Sequence, residues 1–253
     1  MKKNLLQLCA AVTVVAALFT ACSKQSSEEA AAPPKQDGKA TIAYQIQAVN
    51  STTSIAGDNA GIERLGRIMN DNSLASLPSI RFDLTWDSIK LRFRELMFNA
   101  WAGPDQINLS IKSDRYIDII DSTSLGSVVV PVGKFDSVNV FLHAGGDSAK
   151  PAVIMNGRIT WKQTDIPIDV IILGDIKLYA AGKNVAIGQD GLTFDGKLTL
   201  DLDLVMSKLQ IGDFTGTFQG GRIVLVVDVN TDANNRLKSA LESSMKADYI
   251  LRQ

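Results

Sequence analysis

The sequence predicts a mainly β protein: an antiparallel β-sandwich with one short inserted helix and a helix near the C-terminus. Three features predict this fold class. Apolar and polar residues alternate with a period of two in many stretches after residue 40, as in strands with one buried face. Pairs that contain glycine separate several of these stretches, as in hairpin turns. Only two segments space their apolar residues as an α-helix does.

Strict alternation predicts strands over 42–48, 80–86 and 198–204. Continuous apolar runs at 128–130 and 223–227 predict central strands that are covered on both faces. In a sandwich, the inward residues of both sheets meet in one core, so we expect these apolar positions to form it.

One strand and several turns carry finer signals. The apolar parity changes within 89–101, so we expect a β-bulge near Glu95. Asn156-Gly157 predicts a tight hairpin turn, because a type I′ turn needs two residues that tolerate positive φ. Two further pairs of this kind are Asp190-Gly191 and Gly220-Gly221.

The two helical segments lie far apart in the chain. Apolar residues at helical spacing predict a short helix over 61–69. Near the C-terminus, Leu237, Leu241 and Met245 share one helix face, and residues 231–232 offer an N-cap.

Residues 1–21 have the layout of a secretory signal peptide. Lys2 and Lys3 precede an apolar stretch over 5–19, and small residues follow it. A membrane-spanning helix needs about 20 apolar residues, which is more than this stretch supplies.

The end of this segment, Leu18-Phe19-Thr20-Ala21-Cys22, resembles the lipobox of bacterial lipoproteins. The resemblance implies cleavage after Ala21 and lipid on the Cys22 sulfur, which would make a membrane the first partner. We therefore expect a lipid-anchored protein of the cell envelope, held at the outer membrane and facing either the periplasm or the cell surface. Cys9, the other cysteine, lies in the signal segment, so we expect no internal disulfide in the mature chain.

Two further regions follow the signal peptide. Residues 22–40 contain no large apolar side chain, so they predict a flexible tether. Residues 41–253 predict a single β-sandwich domain, a size that all-β domains reach.

Composition argues against several functions. The chain has 26 basic and 27 acidic side chains and no basic stripe, so we expect no nucleic-acid partner. His143 is the only histidine, which excludes histidine-rich metal sites and two-histidine zinc motifs. We therefore predict a protein that is not an enzyme, has no catalytic residues and binds no metal or cofactor. Asp201 and Asp203 lie on the polar side of a predicted strand, and a hydrolase that uses carboxylates is the rival interpretation.

One acidic segment has the spacing of calcium ligands. Asp228, Asn230, Asp232 and Asn234 alternate as the first oxygen donors of an EF-hand loop do. Ala233 stands where such a loop needs glycine, so we favour a strand end followed by a capped helix.

Aromatic side chains suggest one function of the domain. Trp86 and Trp161 share the parity of core residues, so we assign both to packing. Three aromatic residues have the opposite parity and lie near predicted turns, where outward rings can stack on sugars; these candidates for glycan binding are Trp101, Tyr116 and Tyr179. Phe141 shares their outward parity.

Four serines follow an aspartate and precede an apolar or threonine residue. These sites resemble the sequon of general O-glycosylation in Bacteroidetes, and the resemblance implies glycan on one or more of Ser88, Ser122, Ser137 and Ser148.

A family resemblance covers about residues 86–207. The segments 130–138 and 183–204 resemble strand steps of a β-rich lipoprotein domain of uncharacterised function that is common in Bacteroidetes. The resemblance implies a sandwich and an envelope lipoprotein, and it carries no catalytic residues. We therefore expect a binding or structural role, with a glycan or an envelope protein as partner. A surface glycan-binding protein is one form of that role, and the carboxylate hydrolase stays the alternative.

Overall fold

The computed structural model describes residues 38–70, 80–188, 190–214, 216–230 and 236–251. These residues form a mainly β structure in which sheets pack in a sandwich-like arrangement with a few short helices, as the sequence predicts. The predicted signal peptide and Cys22 lie outside the described residues. Within the described part, no helix is long and apolar enough to cross a bilayer.

The elements follow one another along the chain as strands β1 Lys39–Val49 and β2 Thr52–Ala56, helix α1 Asn59–Met69, strands β3 Arg81–Ala102, β4 Asp105–Asp118, β5 Thr123–Pro131, β6 Gly133–Gly146, β7 Val153–Trp161, β8 Thr164–Ile187 and β9 Thr193–Asp201, helix α2 Leu202–Met206, a 3₁₀ helix Ile211–Phe214, strands β10 Thr217–Gln219 and β11 Arg222–Asp228, helix α3 Arg236–Glu242, and strand β12 Met245–Leu251.

Two sheets contain these strands. The small sheet has the order β12-β9-β1-β5, and β1 runs parallel to β9. The large sheet has the order β10-β11-β8-β6-β3-β2, and β11 runs parallel to β8. In addition, β4 pairs with β3, and β7 lies between β3 and β8.

Strand β3 is long enough to change partners along its length. Its first half pairs with β2 and β7, and its second half pairs with β4 and β6. The register with both β4 and β6 shifts between Phe93 and Glu95, so the predicted bulge is confirmed. A second shift lies between Trp86 and Ser88 in the pairing with β7. The two bulges keep apolar side chains pointing inward although their parity in the sequence changes twice.

The core lies between the sheets and beneath the short helices. Ile42, Ile46, Phe82 and Phe98 have no exposed surface. Burying one such side chain stabilises the fold by roughly 1.5–3 kcal/mol. The alternating pattern therefore marks core residues correctly in β1 and in both halves of β3.

The tryptophans assigned to packing lie inside or at the border of this core. Trp86 is 2% exposed, and its ring centroid lies 6.1 Å from that of Phe214. Trp161 is half-buried and packs on Phe82, with 5.4 Å between ring centroids.

The prediction of a turn at Asn156-Gly157 is wrong. Both residues lie in the middle of β7, and the β7–β8 hairpin turns instead after Trp161, where Lys162 has a φ of 54°. The hairpin at Gly220-Gly221 is confirmed, since the two residues have φ values of 59° and 79° between the paired strands β10 and β11. Asp190-Gly191 forms a turn, with a φ of 76° at Gly191, but the predicted hairpin is wrong because β8 and β9 belong to different sheets.

The apolar runs are strands, but they are not covered on both faces. Val129 is 54% exposed, and its strand β5 is an edge of the small sheet. Val226 of β11 is 57% exposed. β-Branched residues favour strands even at exposed positions, so a run of them does not by itself indicate burial.

The strand predicted over 198–204 ends earlier than expected. β9 stops at Asp201, and helix α2 begins at Leu202. The Asp201 carboxylate accepts a hydrogen bond from the Leu204 backbone N–H at 3.3 Å, so it caps the helix. The alternating leucines continue across this junction, and the cap decides where the strand ends.

Both predicted helices are present. Helix α1 includes the predicted 61–69 and ends at Asn70, which has a left-handed φ of 53°. Helix α3 contains Leu237 and Leu241, but Met245 begins strand β12. The predicted extension of that helix to Met245 is therefore wrong, and its predicted N-cap lies outside the described residues.

Candidate functional site

The second half of β3, with its neighbours β4, β6 and β8, exposes a broad face on the outside of the large sheet. The register places outward side chains of these four strands opposite one another in rows. We call this face the outer platform and define it by its outward residues: Gln106, Asn108 and Ser110 on β4; Met97, Asn99 and Trp101 on β3; Ser137, Asn139 and Phe141 on β6; and Tyr179, Ala181 and Lys183 on β8.

Aromatic rings lie in two places on the outer platform. Tyr179 is 40% exposed and lies opposite Phe141, with 5.0 Å between ring centroids and 37° between ring planes. The half-buried Trp101 lies opposite Ser137, four residues along β6 from Phe141. At about 3.3 Å per residue, the two aromatic positions are roughly 13 Å apart along the strands.

A row of amides crosses the platform between these rings. Asn99 of β3 lies opposite Asn108 of β4 and Asn139 of β6. Tyr179 donates its hydroxyl hydrogen to Asn139 Oδ1 at 3.1 Å, and Gln106 Nε2 donates to Asn108 Oδ1 at 3.0 Å. Neighbouring strands lie about 4.8 Å apart, so the row presents amide donors and acceptors at that spacing.

Charged side chains border the platform on the side of the bulge. Glu95 lies opposite Lys112 and His143, and His143 lies opposite Lys177. His143 Nε2 lies 2.9 Å from Asp175 Oδ1, so the only histidine links β6 to β8. This contact is a cross-strand pair at the edge of the platform.

Tyr116 lies on the same strand as the amides but far from the other candidates. It is ten residues from Gln106, the partner of Trp101, which corresponds to about 33 Å along β4. Its hydroxyl donates to the Pro151 carbonyl at 2.8 Å, and burial raises the pKa of that hydroxyl. The structure therefore brings Trp101 and Tyr179 onto one surface and places Tyr116 outside it.

Tyr116 belongs to a separate ionic cluster. Arg92 donates to both carboxylate oxygens of Asp114, at 2.8 and 3.0 Å, and Arg94 Nη1 lies 3.1 Å from Asp114 Oδ1. The hydrogen bonds from Arg92 hold the pKa of Asp114 below its usual value. Arg92 also donates to the Lys150 carbonyl at 3.3 Å, so the cluster ties the β6–β7 loop to β3 and β4.

Two candidate glycosylation serines lie in loops. Ser148 is exposed in the β6–β7 loop, where the Asp147 carboxylate accepts hydrogen bonds from the N–H groups of Ala149 and Lys150. These backbone hydrogen bonds lower the pKa of Asp147. Ser122 is exposed between β4 and β5, and its hydroxyl donates to Gln45 Oε1 at 2.9 Å.

The other two candidate serines lie within strands. The half-buried Ser88 donates to Asp118 Oδ2 at 2.7 Å, and Ser137 lies on the outer platform opposite Trp101. Glycosylation of any of the four serines stays a prediction, and the exposed loop position favours Ser148 over the strand positions.

The two groups of carboxylates noted in the sequence have local partners. Asp201 Oδ2 accepts a hydrogen bond from Lys246 Nζ at 3.1 Å, whereas Asp203 lies exposed in helix α2. Asp228 Oδ1 accepts one from the Asn230 N–H at 3.0 Å. Asp232 and Asn234 lie outside the described residues. Within the described part of the chain, no three potential ligands cluster as a metal site would require.

Sequence reasoning found the outward aromatics but missed the amide row. Each asparagine has an outward parity in its own strand, but asparagine is also common in turns and polar faces. Only the pairing of β4, β3 and β6 shows that the three amides are neighbours. Comparisons with family models, curated proteins and solved structures find no match for this chain.

Proposed function

We propose that this chain is a lipid-anchored, non-enzymatic lipoprotein of the cell envelope whose outer platform binds a glycan. The observation that carries the proposal is the amide row of Asn99, Asn108 and Asn139 lying between Trp101 and Tyr179 on one exposed sheet face. The anchor part of the proposal rests on the lipobox-like segment that ends at Cys22.

The two kinds of side chain suit the two surfaces of a sugar. A sugar ring has apolar C–H faces, which stack on an aromatic ring such as that of Tyr179, and a rim of hydroxyl groups. An asparagine amide offers two donors and one acceptor oxygen, so it can bind neighbouring hydroxyls of one sugar. The amide row therefore supplies the polar contacts that an aromatic ring alone lacks.

The ligand class follows from the shape and charge of the platform. A binding surface on a sheet face does not close around the end of its ligand, so it can bind the middle of a long polysaccharide as well as its end. The central residues of the platform are amides, aromatics and a methionine. The charged residues lie at its sides: Lys183 on β8, and Glu95, Lys112 and Lys177 on the side of the bulge. We therefore propose a neutral polysaccharide as the ligand.

The test is affinity electrophoresis of the detergent-solubilised full chain through gels that contain a neutral β-glucan, mannan, xylan or galactan. We expect at least one of these polymers to retard the protein. Trp101→Ala and Tyr179→Ala should each weaken retardation about tenfold, since one lost aromatic contact costs about 1.4 kcal/mol in affinity. Asn99→Ala should weaken it as well.

Phe218→Ala is the matched control, because Phe218 is 45% exposed on β10, away from the platform. It should bind as the unchanged chain does. Equal loss in this variant, or no retardation by any of the four polymers, contradicts the proposal. The bound polymer should also release no reducing ends on incubation, and their release would instead favour a hydrolase.

A further inference from the structure

The edge of the large sheet formed by β4 differs from the other strand edges of the described residues. β4 has 14 residues and pairs with β3 alone. The other strands with a single ladder partner are shorter: β2 has 5 residues, β5 has 9, β10 has 3 and β12 has 7. A long edge strand exposes a row of backbone donors and acceptors that another strand can bind.

The other edges also carry features that discourage pairing. β5 contains Gly126 with a φ of 121° and ends at Pro131. β12 carries Lys246 and Asp248 on its exposed positions. The segment 106–111 of β4 has no charge, no proline and no glycine. Charges, prolines and irregular backbone are the usual protection of an edge, and this segment lacks all three.

The side chains of this segment are incompletely covered on the inner side of the sheet. Ile107, Leu109 and Ile111 pack against the core but stay half-buried, whereas most inward residues of neighbouring β3 and β6 are buried. A strand added beside β4 would cover the remaining apolar surface of these three residues and satisfy the backbone edge at the same time.

We infer that the occupant of this edge is the same strand of a second copy of the chain, paired antiparallel about a two-fold axis at Leu109. Such an axis stands perpendicular to the sheet and keeps inward residues opposite inward residues. With the axis at Leu109, Ile107 lies opposite Ile111 of the second copy, and Leu109 lies opposite its own copy. Moving the axis to Asn108 or Ser110 would place one isoleucine opposite a polar residue.

The outward residues agree with this register. Asn108 lies opposite Ser110 of the second copy, and Gln106 lies opposite Lys112, so no two like charges face each other. The segment is therefore complementary to itself on both faces of the sheet. This inference does not depend on glycan binding, although the dimer would join two outer platforms side by side.

The tether is long enough for both copies to reach one bilayer. Antiparallel pairing reverses the direction of the strands between the two copies. From Cys22 to Gly38 the chain advances 38 − 22 = 16 residues, and a fully extended chain of that length reaches about 55 Å. A strand as long as β4 spans about 46 Å. One extended tether is therefore longer than the strand whose direction is reversed between the two copies.

Single-cysteine cross-linking tests the pairing, because Cys22 and Cys9 are the only cysteines of the full chain. Leu109→Cys is introduced into the full chain, and the membranes that contain it are oxidised with copper phenanthroline. Opposite residues of antiparallel strands have Cα atoms about 4.5–5.5 Å apart, within the range of a disulfide. We expect a disulfide-linked dimer on non-reducing gels, at least about tenfold more than in the controls.

Val129→Cys and Val226→Cys are the controls, since both positions are exposed on strands outside the proposed interface. A register test uses two variants with outward side chains, so that the core stays intact. Asn108→Cys mixed with Ser110→Cys should cross-link, whereas Asn108→Cys alone should not, because its own copy lies beyond disulfide reach.

Three outcomes would overturn the inference. The first is cross-linking of Leu109→Cys no stronger than that of the controls. The second is a cross-linked product with the mass of this chain joined to a different protein. The third is a detergent-solubilised chain that sediments as a monomer at every micromolar concentration measured.

Discussion

At the scale of a single residue, Gly157 shows that a glycine typical of turns can instead be required where two strands pack closely. A Cβ atom at this position would overlap the Thr85 carbonyl oxygen and lie 2.8 Å from the Trp86 ring. The second bulge of β3 lies opposite, between Trp86 and Ser88. Because Gly157 has no side chain, β3 and β7 can approach each other closely here, and the Trp86 ring packs next to the glycine.

Gly157→Ala should therefore destabilise the fold. Overpacking of a tight site costs about 1–3 kcal/mol, and contact with rigid backbone places this site at the upper end of that range. Urea unfolding followed by tryptophan fluorescence measures the loss. Gly133→Ala is the control, because a methyl group at Gly133 would have open space within 4 Å. Similar unfolding midpoints for both variants would show that Gly157 is not closely packed.

Among the secondary-structure elements, the junction of β9 and α2 depends on a single carboxylate. Asp201 ends the strand, caps the helix through the Leu204 N–H and binds Lys246 of β12. Burial alone would raise the pKa of Asp201, but the hydrogen bonds from Lys246, Asn50 and Leu204 hold it below its usual value.

Asp201→Ala should lower the free energy of unfolding by about 1 kcal/mol at pH 7, the usual loss for a helix cap. Because the folded-state pKa is depressed, this stabilisation is present above the unfolded-state pKa of about 4 and is lost as the pH falls through the folded-state pKa. The unchanged chain and the variant should therefore converge in acid. Asp203→Ala, on the exposed side of the same helix, should show little change, and an equal loss there would argue against capping.

For the protein as a whole, the proposed lipid anchor would decide where the platform acts. Two or three acyl chains on one residue, with each buried methylene contributing about 0.8 kcal/mol, hold a protein on a bilayer far more firmly than one myristoyl chain does. A folded domain that begins 16 residues after Cys22 would then meet its ligand within a short distance of the membrane.

Cys22→Ala tests the anchor directly. We expect the variant to leave the membrane fraction and to lose normal cleavage of the predicted signal peptide, since the resemblance to a lipobox implies that lipid attachment and cleavage both require the Cys22 thiol. Fractionation and the intact mass of the chain measure the two effects. Cys9→Ala is the control and should stay membrane-bound. A Cys22→Ala chain that remains in the membrane and is fully processed would refute lipid anchoring.

The amino-acid pattern alone was enough to predict the β-rich fold class, the burial of most alternating residues, the bulge near Glu95 and both helices. These are local properties, because the direction of a side chain follows from its place in the repeat of its own strand. Outward parity likewise identified Trp101 and Tyr179 as outward-facing aromatics. Reliance on local signals also explains two errors. The turn preference of Asn156-Gly157 does not show that Gly157 lies against the Thr85 carbonyl, and the alternation after Asp201 does not show the helix cap that ends the strand.

Which strands are neighbours, and therefore which surface residues form a site, became clear only from the folded chain. Asn99, Asn108 and Asn139 become one row because the registers of β4, β3 and β6 place them opposite one another. The same pairing gives β4 a single ladder partner among the described strands and separates Tyr116 from the platform. Strand register depends on contacts between residues distant in the chain, and no local repeat encodes those contacts.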